Sequence, residues 1–206
     1  MQSARQGDMP PATALQEIEA TVDRATQLAN QMLSLAKVEQ LRQQPQAATA
    51  TGWAAIVREV ALDLAPLIAD KMLDFELRAD TPVPLSAHEW MLRELVRNLL
   101  HNAIRHAPPG SALLVTLTPQ ADRQHACLHI IDQGPGLSEE LLQRLYQPFS
   151  AGDTRNGSGL GLAICMEIVQ ALHGRLELHN RRQQAPHQQG LEAVACLPTA
   201  PDRTPQ

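Results

Sequence analysis

The chain has 206 residues, 44% of them hydrophobic, and a formal net charge of −5 at pH 7. This length allows one core of ordinary size with an extra element, or two small domains. The negative charge provides no basic surface, so we expect no nucleic acid among the partners. No signal peptide and no apolar run of about eighteen residues is visible, which predicts a soluble, cytoplasmic segment.

The cysteines and two of the histidines give only weak functional signals. Cys127, Cys165 and Cys196 are scattered and form no C-x-x-C pair. This usage is typical of a reducing compartment and disfavours a zinc site. Cys127 and Cys196 fall in predicted strands, where we expect small core residues. His125 and His129 share one face of a predicted strand, and a metal pair there is the minor alternative.

A long amphipathic helix is predicted near the N-terminus. Apolar or small residues recur three and four positions apart from Leu15 to Ala36, which predicts a helix over Ala12–Gln43. Its apolar face either docks on the chain's own globular part or, more often at this length, belongs to a bundle or a dimer. Pro45 and the following residues to Thr51 end this helix.

The rest of the pattern predicts an α+β fold. Further helices are predicted over Trp53–Lys71, with a kink or early end at Pro66, and over Ala87–His106, Ser138–Leu145 and Ser158–His173. Strands are predicted over Leu73–Ala79, Ala112–Pro119, Gln124–Asp132, Gly174–His179 and Gly190–Leu197. The sum is a mainly antiparallel mixed sheet with its helices on one face.

The helix over Ala87–His106 carries the most informative polar residues. At about 100° of turn per residue, one third of its surface displays Asn98, His101, Asn102 and Arg105, opposite an apolar face. A carboxamide oxygen is a neutral ligand for a hard cation such as Mg²⁺, and guanidinium and imidazole groups suit phosphate oxygens. A plain solvated face is the alternative, although Asn is a mediocre helix former.

Two glycine-bearing segments follow this helix. The first, Asp132-Gln133-Gly134-Pro135-Gly136, ends a strand; its carboxylate can accept a hydrogen bond from an exocyclic amine such as that of adenine. A plain Asp-initiated turn is the alternative. The second runs from Gly157 to Leu162 and opens a helix, where unpaired N–H groups and the helix dipole suit phosphate. Its G-x-G-x-G spacing disfavours a dinucleotide fold, and the lack of a nearby lysine excludes a P-loop.

In this order, the motifs resemble those of sensor histidine kinases. The N and G1 boxes of that family are similar to Asn98-Leu99-Leu100-x-Asn102-Ala103-x-x-His106 and Asp132-x-Gly134-x-Gly136. The F and G2 boxes are similar to Gln147-Pro148-Phe149 and Gly157-Ser158-Gly159-Leu160-Gly161-Leu162. The resemblance covers about residues 50–198. It implies the family's ATP-binding fold of the GHKL superfamily, a two-layer α/β sandwich with a mixed five-stranded sheet and three helices.

The resemblance also implies a role for each matching residue. Asn102 would bind Mg²⁺, and Asn98 would lie near the triphosphate or a metal-bound water. Arg105 and His106 would contact phosphate or ribose. Asp132 would bind the adenine amine, and Gly134 and Gly136 would permit its approach. The phosphate-side hinge would consist of Gly157, Gly159 and Gly161, and Ser158 and Leu160 between them would be further nucleotide-binding residues.

The segment between the two glycine boxes would cover the nucleotide. By the same resemblance, residues 137–157 would form a mobile lid over ATP. Phe149 would be its packing anchor, and Arg155 would reach the γ-phosphate.

One element of the family is not found. Its phosphoacceptor histidine lies in an H-E-[LI]-[KR]-x-P box on the first helix of a dimerising hairpin. The only His-Glu pair here is His88-Glu89, which lacks the proline. The helix over Ala12–Gln43 resembles the second helix of that hairpin. We therefore expect a remnant of the hairpin over residues 1–45, a catalytic ATP-binding domain over 46–198 and a disordered tail over 199–206.

The resemblance implies the cytoplasmic catalytic part of an inner-membrane sensor, homodimeric through residues 12–43 in the full protein. It would position Mg·ATP for γ-phosphoryl transfer to a histidine on the missing phosphoacceptor helix, and thence to a response-regulator receiver domain. Alone, it would be unable to phosphorylate itself at the usual site. One alternative is a GHKL ATP hydrolase, but the place of its glutamate base is taken by Asn98, and Glu94 lies a turn further away. The other is a nucleotide-binding interaction module or pseudokinase.

Overall fold

The computed structural model describes residues 11–43, 50–121, 124–138, 160–181 and 189–200. The helices in these ranges are α1 (Pro11–Gln43), α2 (Trp53–Asp63), α3 (Ala65–Asp70), α4 (Glu89–His106) and α5 (Leu160–Ala171). The strands are β1 (Ala50–Gly52), β2 (Asp74–Arg78), β3 (Pro84–Ser86), β4 (Ala112–Pro119), β5 (His125–Ile131), β6 (Arg175–Arg181) and β7 (Gly190–Pro198). The predicted helix over Ser138–Leu145 lies, beyond Ser138, outside the described residues.

Five strands form one mixed sheet in the order β2-β4-β5-β7-β6. Strand β2 pairs parallel with β4, and the other pairs are antiparallel. Side chains alternate between the two faces, as a pleated strand requires. The face toward the helices is apolar and includes Val115, Leu117, Leu128, Ile130 and Ala195, each at most 2% exposed. The predicted α+β sandwich with a mixed five-stranded sheet is confirmed.

Helix α4 is the centre of the helical layer, between α2 and α5. Its apolar face is buried and includes Leu92, Leu95, Val96, Leu99 and Leu100, each at most 2% exposed. The imidazole Nδ1 of His88 accepts a hydrogen bond from the Trp90 N–H at 3.2 Å and so caps the first turn. The His88-Glu89 pair therefore marks the beginning of this helix.

Several elements differ from their predicted form. The helix predicted over Trp53–Lys71 is divided at Leu64 into α2 and α3, because Pro66 lies in the first turn of the second helix. Strands β1 and β3 form an additional two-stranded antiparallel sheet that was not predicted. Disorder from residue 199 onward was wrong for two residues: the Thr199 N–H donates to the Gln124 carbonyl and the Ala200 N–H donates to the Pro84 carbonyl. Residues 201–206 lie outside the described part of the chain.

Helix α1 docks on the rest of the chain through its second half. Val38 is 2% exposed, and Leu35 and Leu41 pack against the same core. The Lys37 ammonium lies 4.3 Å from the centroid of the Trp90 ring, which is the geometry of a cation–π contact. The first half of the helix has exposed apolar side chains such as Leu15 and Val22. Among the described helices, none is both long enough and apolar enough to span a membrane.

Cys127 and Cys196 are buried, as predicted for small core residues, and they also form a disulfide between β5 and β7, which was not predicted. The strand register places them directly opposite each other, with Cα atoms 4.1 Å apart. They lie beside Val194 on the sheet face that the helices leave uncovered. The two cysteines are 69 residues apart in sequence, and only the pairing of β5 with β7 brings them together. Cys165 is a free thiol buried in the main core, where desolvation raises its pKa.

This disulfide predicts a stability that depends on reductant. Closing a loop across 69 residues restricts the unfolded chain, which contributes about 4 kcal/mol in the chain-entropy model. Urea unfolding of the chain purified without reductant should therefore lose stability when dithiothreitol is added. The paired variant Cys127→Ser with Cys196→Ser should show no response to dithiothreitol. Alkylation of three thiols in the unreduced, denatured chain would contradict the assignment.

Candidate functional site

The polar face of α4 is ordered by contacts within the helix. Asn98, His101 and Asn102 are half-buried, and Arg105 is exposed, on the side opposite the buried leucines. The Asn98 Nδ2 donates to the Glu94 carbonyl at 2.9 Å and to Glu94 Oε1 at 3.2 Å. Both Glu94 atoms are acceptors, so the carboxamide nitrogen of Asn98 faces Glu94 and the carboxamide oxygen faces away from it.

The first turn of α5 lies against this polar face. A Cβ atom placed on Gly161 would be 3.1 Å from Asn98 Oδ1 and 3.8 Å from Asn102 Nδ2. The structure therefore brings Asn98, Asn102 and Gly161 together from segments about sixty residues apart. Leu160 is described only as the first residue of α5. The other predicted residues of this side lie outside the described residues: Phe149, Arg155, Gly157, Ser158 and Gly159.

Asp132 is held at the end of β5 by backbone groups from two segments. Its side chain is buried, and its Oδ1 accepts hydrogen bonds from the Gly134 N–H at 2.7 Å and from the Leu191 N–H at 3.4 Å. Its own N–H donates to the Leu191 carbonyl at 3.0 Å. The carboxylate therefore has a fixed position between the glycine turn and the beginning of β7.

The glycines after Asp132 allow close approach of neighbouring backbone. A Cβ atom on Gly134 would be 2.8 Å from the His106 carbonyl oxygen at the end of α4. Gly136 has a φ of +73°, which favours glycine, and a Cβ there would be 2.6 Å from Asn180 Oδ1. This turn therefore packs between the C-terminal end of α4 and strand β6. It brings Asp132 and His106 into one site.

The structure adds residues that the sequence reasoning missed. Asn180, on the inner face of β6, receives a hydrogen bond from the Leu137 N–H at 2.8 Å and donates one to the Leu137 carbonyl at 2.6 Å. Gly190 opens β7, and the Asp132 carbonyl oxygen occupies the space that a Cβ atom there would need. In the sequence, Asn180 follows Leu176 and Leu178 at the two-residue spacing of one strand face, which indicates that it faces inward. Gly190 was indicated only by its place at the start of a predicted strand.

Burial and neighbouring charges shift the ionisation of this site. Burial raises the pKa of Asp132, although the backbone hydrogen bonds and the nearby His106 partly oppose this shift. Burial and the Arg105 cation lower the pKa of His106 and of His101 below the ordinary value of 6.5. Both imidazoles are therefore mainly neutral at pH 7 and offer hydrogen bonds rather than positive charge. Arg105 provides positive charge beside both imidazoles, with Arg97 also near His101 and Lys71 also near His106.

Oxygen donors suited to a small hard cation are present on α4. Mg²⁺ typically binds to one or two protein oxygens together with substrate phosphates, and the carboxamides of Asn98 and Asn102 fit that donor chemistry. Nowhere in the described ranges is a group of three or more His, Cys, Asp or Glu side chains arranged to hold a metal. The His129 Nδ1 lies 2.9 Å from Glu192 Oε1, so this histidine pairs with a carboxylate.

Replacing Asp132 by Asn should change how stability depends on pH. The folded-state pKa lies above the ordinary 3.8, so the protonated carboxyl stabilises the fold below that value, and this contribution is lost as the pH rises through the raised pKa. Asp132→Asn keeps an acceptor oxygen for the Gly134 N–H without the charge. Its stability relative to the unmodified chain should therefore increase from about pH 4 towards pH 7 in urea unfolding.

The matched control is Asp74→Asn, which removes an exposed carboxylate at the edge strand β2. It should not reproduce the gain with pH. A stability difference for Asp132→Asn that stays constant or reverses over this range would contradict the assigned cost of burying the charge.

Comparison with known proteins gives consistent matches. Residues 87–201 match the family model described as histidine kinase-, DNA gyrase B- and HSP90-like ATPase. Sensor protein QseC of Escherichia coli (strain K12) is 33% identical over 186 residues, which is 82% of this chain and 37% of that protein. Sensor protein kinase PmrB of Pseudomonas aeruginosa is 32% identical over 200 residues, 94% of this chain and 40% of that protein. The chain thus spans about two fifths of the length of these relatives.

Solved structures show the same fold. A mycobacterial sensor histidine kinase, MprB, superposes with a TM-score of 0.64 at 28% identity, covering 75% of this chain and 99% of that chain. The cytoplasmic segment of histidine kinase QseC superposes with a TM-score of 0.57 at 23% identity, covering 87% and 95% of the two chains.

Proposed function

Since the chain belongs to the histidine kinase-, DNA gyrase B- and HSP90-like ATPase family, with an ATP-binding catalytic domain of the sensor kinase type, we propose that it positions Mg·ATP for transfer of the γ-phosphoryl group to a histidine. Phosphoryl transfer requires positioning and charge neutralisation more than covalent chemistry from the protein. The site described above offers groups for both tasks. The proposal is therefore a protein histidine kinase activity.

The observation that carries this proposal is the pairing of two carboxamides with a helix start. Asn98 and Asn102 lie beside Gly161 at the beginning of α5, where backbone N–H groups and the positive end of the helix dipole favour phosphate. We assign Asn102 as the Mg²⁺ ligand and Asn98 as a contact to the triphosphate or to a metal-bound water. Mg²⁺, when bound, supplies neutralisation of phosphate charge. Arg105 and His106 would contact phosphate or ribose.

The nucleobase end of the site is assigned to Asp132. Its buried carboxylate is held by two backbone N–H groups, and a fixed acceptor of this kind suits the exocyclic amine of adenine. Gly134 and Gly136 permit the close approach of a flat ligand. Gly157, Ser158, Gly159 and Leu160 remain predicted phosphate contacts. The lid over 137–157, with Phe149 and Arg155, likewise remains a prediction.

The surroundings of Glu94 favour transfer over hydrolysis. A GHKL ATP hydrolase uses a glutamate base one turn before the metal asparagine, and Asn98 takes that place here. Glu94, one turn further away, accepts hydrogen bonds from Ser34 and Asn98 through the same Oε1 atom. A carboxylate occupied in this way is poorly placed to take a proton from a water at Asn102.

The proposal extends to the domain organisation, the partners and the location of the protein. We propose that residues 1–45 belong to a dimerisation and phosphoacceptor unit, that 46–198 form the catalytic domain, and that phosphate passes from the histidine to a response-regulator receiver domain. A homodimer through residues 12–43 is supported by the exposed apolar side chains of α1, such as Leu15, Ile18 and Val22. A cytoplasmic location would provide the required ATP; in that reducing compartment we expect Cys127 and Cys196 as thiols, with the disulfide formed in the chain purified without reductant.

Nucleotide binding tests this proposal. We expect the chain to bind a non-hydrolysable ATP analogue in calorimetric titration, more tightly with Mg²⁺ than without. Asn102→Ala should weaken binding about tenfold with Mg²⁺ and little without it, because it removes a metal ligand. Asp132→Ala should weaken binding about tenfold or more under both conditions, because it removes a charged acceptor from the adenine amine.

The matched control is Thr118→Ala, an exposed position on the uncovered face of the sheet, which should leave affinity unchanged. No binding by the unmodified chain would refute the kinase proposal and favour an interaction module. If binding is found, addition in trans of a helical hairpin with an H-E-[LI]-[KR]-x-P box should yield acid-labile phosphohistidine. Steady release of inorganic phosphate without it would favour a hydrolase.

A further inference from the structure

A chain of three side chains connects helix α1 to the asparagine face of α4. The Ser34 hydroxyl donates to Glu94 Oε1 at 3.1 Å, and the Asn98 Nδ2 donates to the same oxygen at 3.2 Å. Ser34 and Glu94 are 60 residues apart in sequence, so this contact exists only because α1 packs against the domain. The single carboxylate oxygen is thus shared between the long helix and the site.

Glu94 determines which way the Asn98 carboxamide points. Its carbonyl oxygen and its carboxylate oxygen are both acceptors, so the amide nitrogen of Asn98 must face them. The Asn98 oxygen then faces Gly161 at the beginning of α5, as the short distance to that position shows. If the Asn98 carboxamide were flipped, its oxygen would face the carbonyl and carboxylate oxygens of Glu94. None of these three atoms can donate, so both hydrogen bonds would be lost.

Packing around Ser34 fixes the position of its hydroxyl. Val38, one turn later, is buried, and Lys37 contacts the ring of Trp90 on α4. A shift of α1 by one residue in register corresponds to a rotation of about 100° and a translation of about 1.5 Å along the helix axis. Such a change would carry the Ser34 hydroxyl beyond hydrogen-bond distance of Glu94. The carboxylate that holds Asn98 therefore responds to how α1 is placed.

We propose that Glu94 is a positioning residue that orients the Asn98 carboxamide and that transmits the placement of α1, through Ser34, to the nucleotide site. This inference rests on the proposed function, because its consequence is measured as Mg²⁺-dependent nucleotide affinity. It assigns a regulatory input to the same site: any event that moves the second half of α1 alters the support of Asn98.

The first experiment compares two substitutions of Glu94 by titration with the non-hydrolysable ATP analogue and Mg²⁺. Glu94→Leu retains a good helix former but removes the acceptor, and it should weaken Mg²⁺-dependent binding about five- to tenfold. Glu94→Gln keeps an acceptor oxygen and should remain within about twofold of the unmodified chain. Glu89→Gln, on the first turn of the same helix, is the matched control and should have no effect.

Two results would overturn this role. Glu94→Leu with unchanged affinity would show that Asn98 needs no support. Glu94→Gln as weak as Glu94→Leu would show that the negative charge matters and the acceptor geometry does not. Circular dichroism and the urea midpoint of each variant establish that it is folded before its affinity is interpreted.

The second experiment tests the contribution of α1 by a double-mutant cycle. Ser34→Ala should weaken Mg²⁺-dependent binding about twofold to threefold in the unmodified chain and have no effect in the Glu94→Leu background. Thr21→Ala serves as the control on the same helix, because its hydroxyl donates to the Glu17 carbonyl within α1. Equal effects of Ser34→Ala in both backgrounds would refute transmission through Glu94.

A nucleotide-free measurement separates this inference from the proposed function. In ¹⁵N-labelled chain, the side-chain amide signals of Asn98 should shift with Ser34→Ala and with Glu94→Leu but not with Thr21→Ala. If the unmodified chain binds no nucleotide, the proposed function fails and the Ser34–Glu94–Asn98 connection is judged on these spectra alone. Unchanged Asn98 signals in the Ser34→Ala chain would refute it.

Discussion

Burial of the apolar face of α4 is the constraint on which the site depends. Five leucine and valine side chains on this face are at most 2% exposed. At about 2 kcal/mol for each, turning the helix away from the core would cost on the order of 10 kcal/mol. That amount is comparable to the whole stability of a typical domain and exceeds any gain from the polar contacts. The core therefore determines where Asn98, Asn102 and Arg105 point.

The register of the sheet provides the second constraint. Pairing of β5 with β7 places Cys127 opposite Cys196, and a few residues further along it places Asp132 beside Leu191. A slip by one residue would turn every side chain to the other face, which would expose Leu128 and Ile130 and misplace Asp132. The apolar inner face of the sheet thus keeps the carboxylate at the edge that α4 reaches. The disulfide on the uncovered face ties the same two strands together.

Strong periodicity explains which features could be predicted from the sequence. The two faces of α4 and the inner side of β4 and β5 were predictable, because a period of 3.6 or 2 fixes which residues share a face. Strands β1 and β3 were not, because three residues are too few to establish an alternation. The break between α2 and α3 was predicted only as a kink or early end, since Pro66 marks the place but not the geometry.

Contacts between distant segments were the part that the sequence could not reveal. The pairing of Cys127 with Cys196 and the contact of Gly190 with Asp132 depend on strand register, which no local pattern specifies. The hydrogen bond from Ser34 to Glu94 depends on how α1 docks. For the site itself, the motifs predicted Asn98, Asn102, Asp132 and Gly161. The structure places Asn98 and Asn102 beside Gly161. Asn180 was missed, because a single polar residue in a strand has no distinctive spacing.

A crystal structure of the chain with a non-hydrolysable ATP analogue and Mn²⁺ in place of Mg²⁺ tests the central claim most directly. Anomalous scattering locates the metal independently of the nucleotide. We predict a metal about 2.0–2.2 Å from Asn102 Oδ1, with the adenine amino group within hydrogen-bond distance of the Asp132 carboxylate. A metal held without Asn102, together with an adenine ring that does not contact Asp132, would contradict the assigned site.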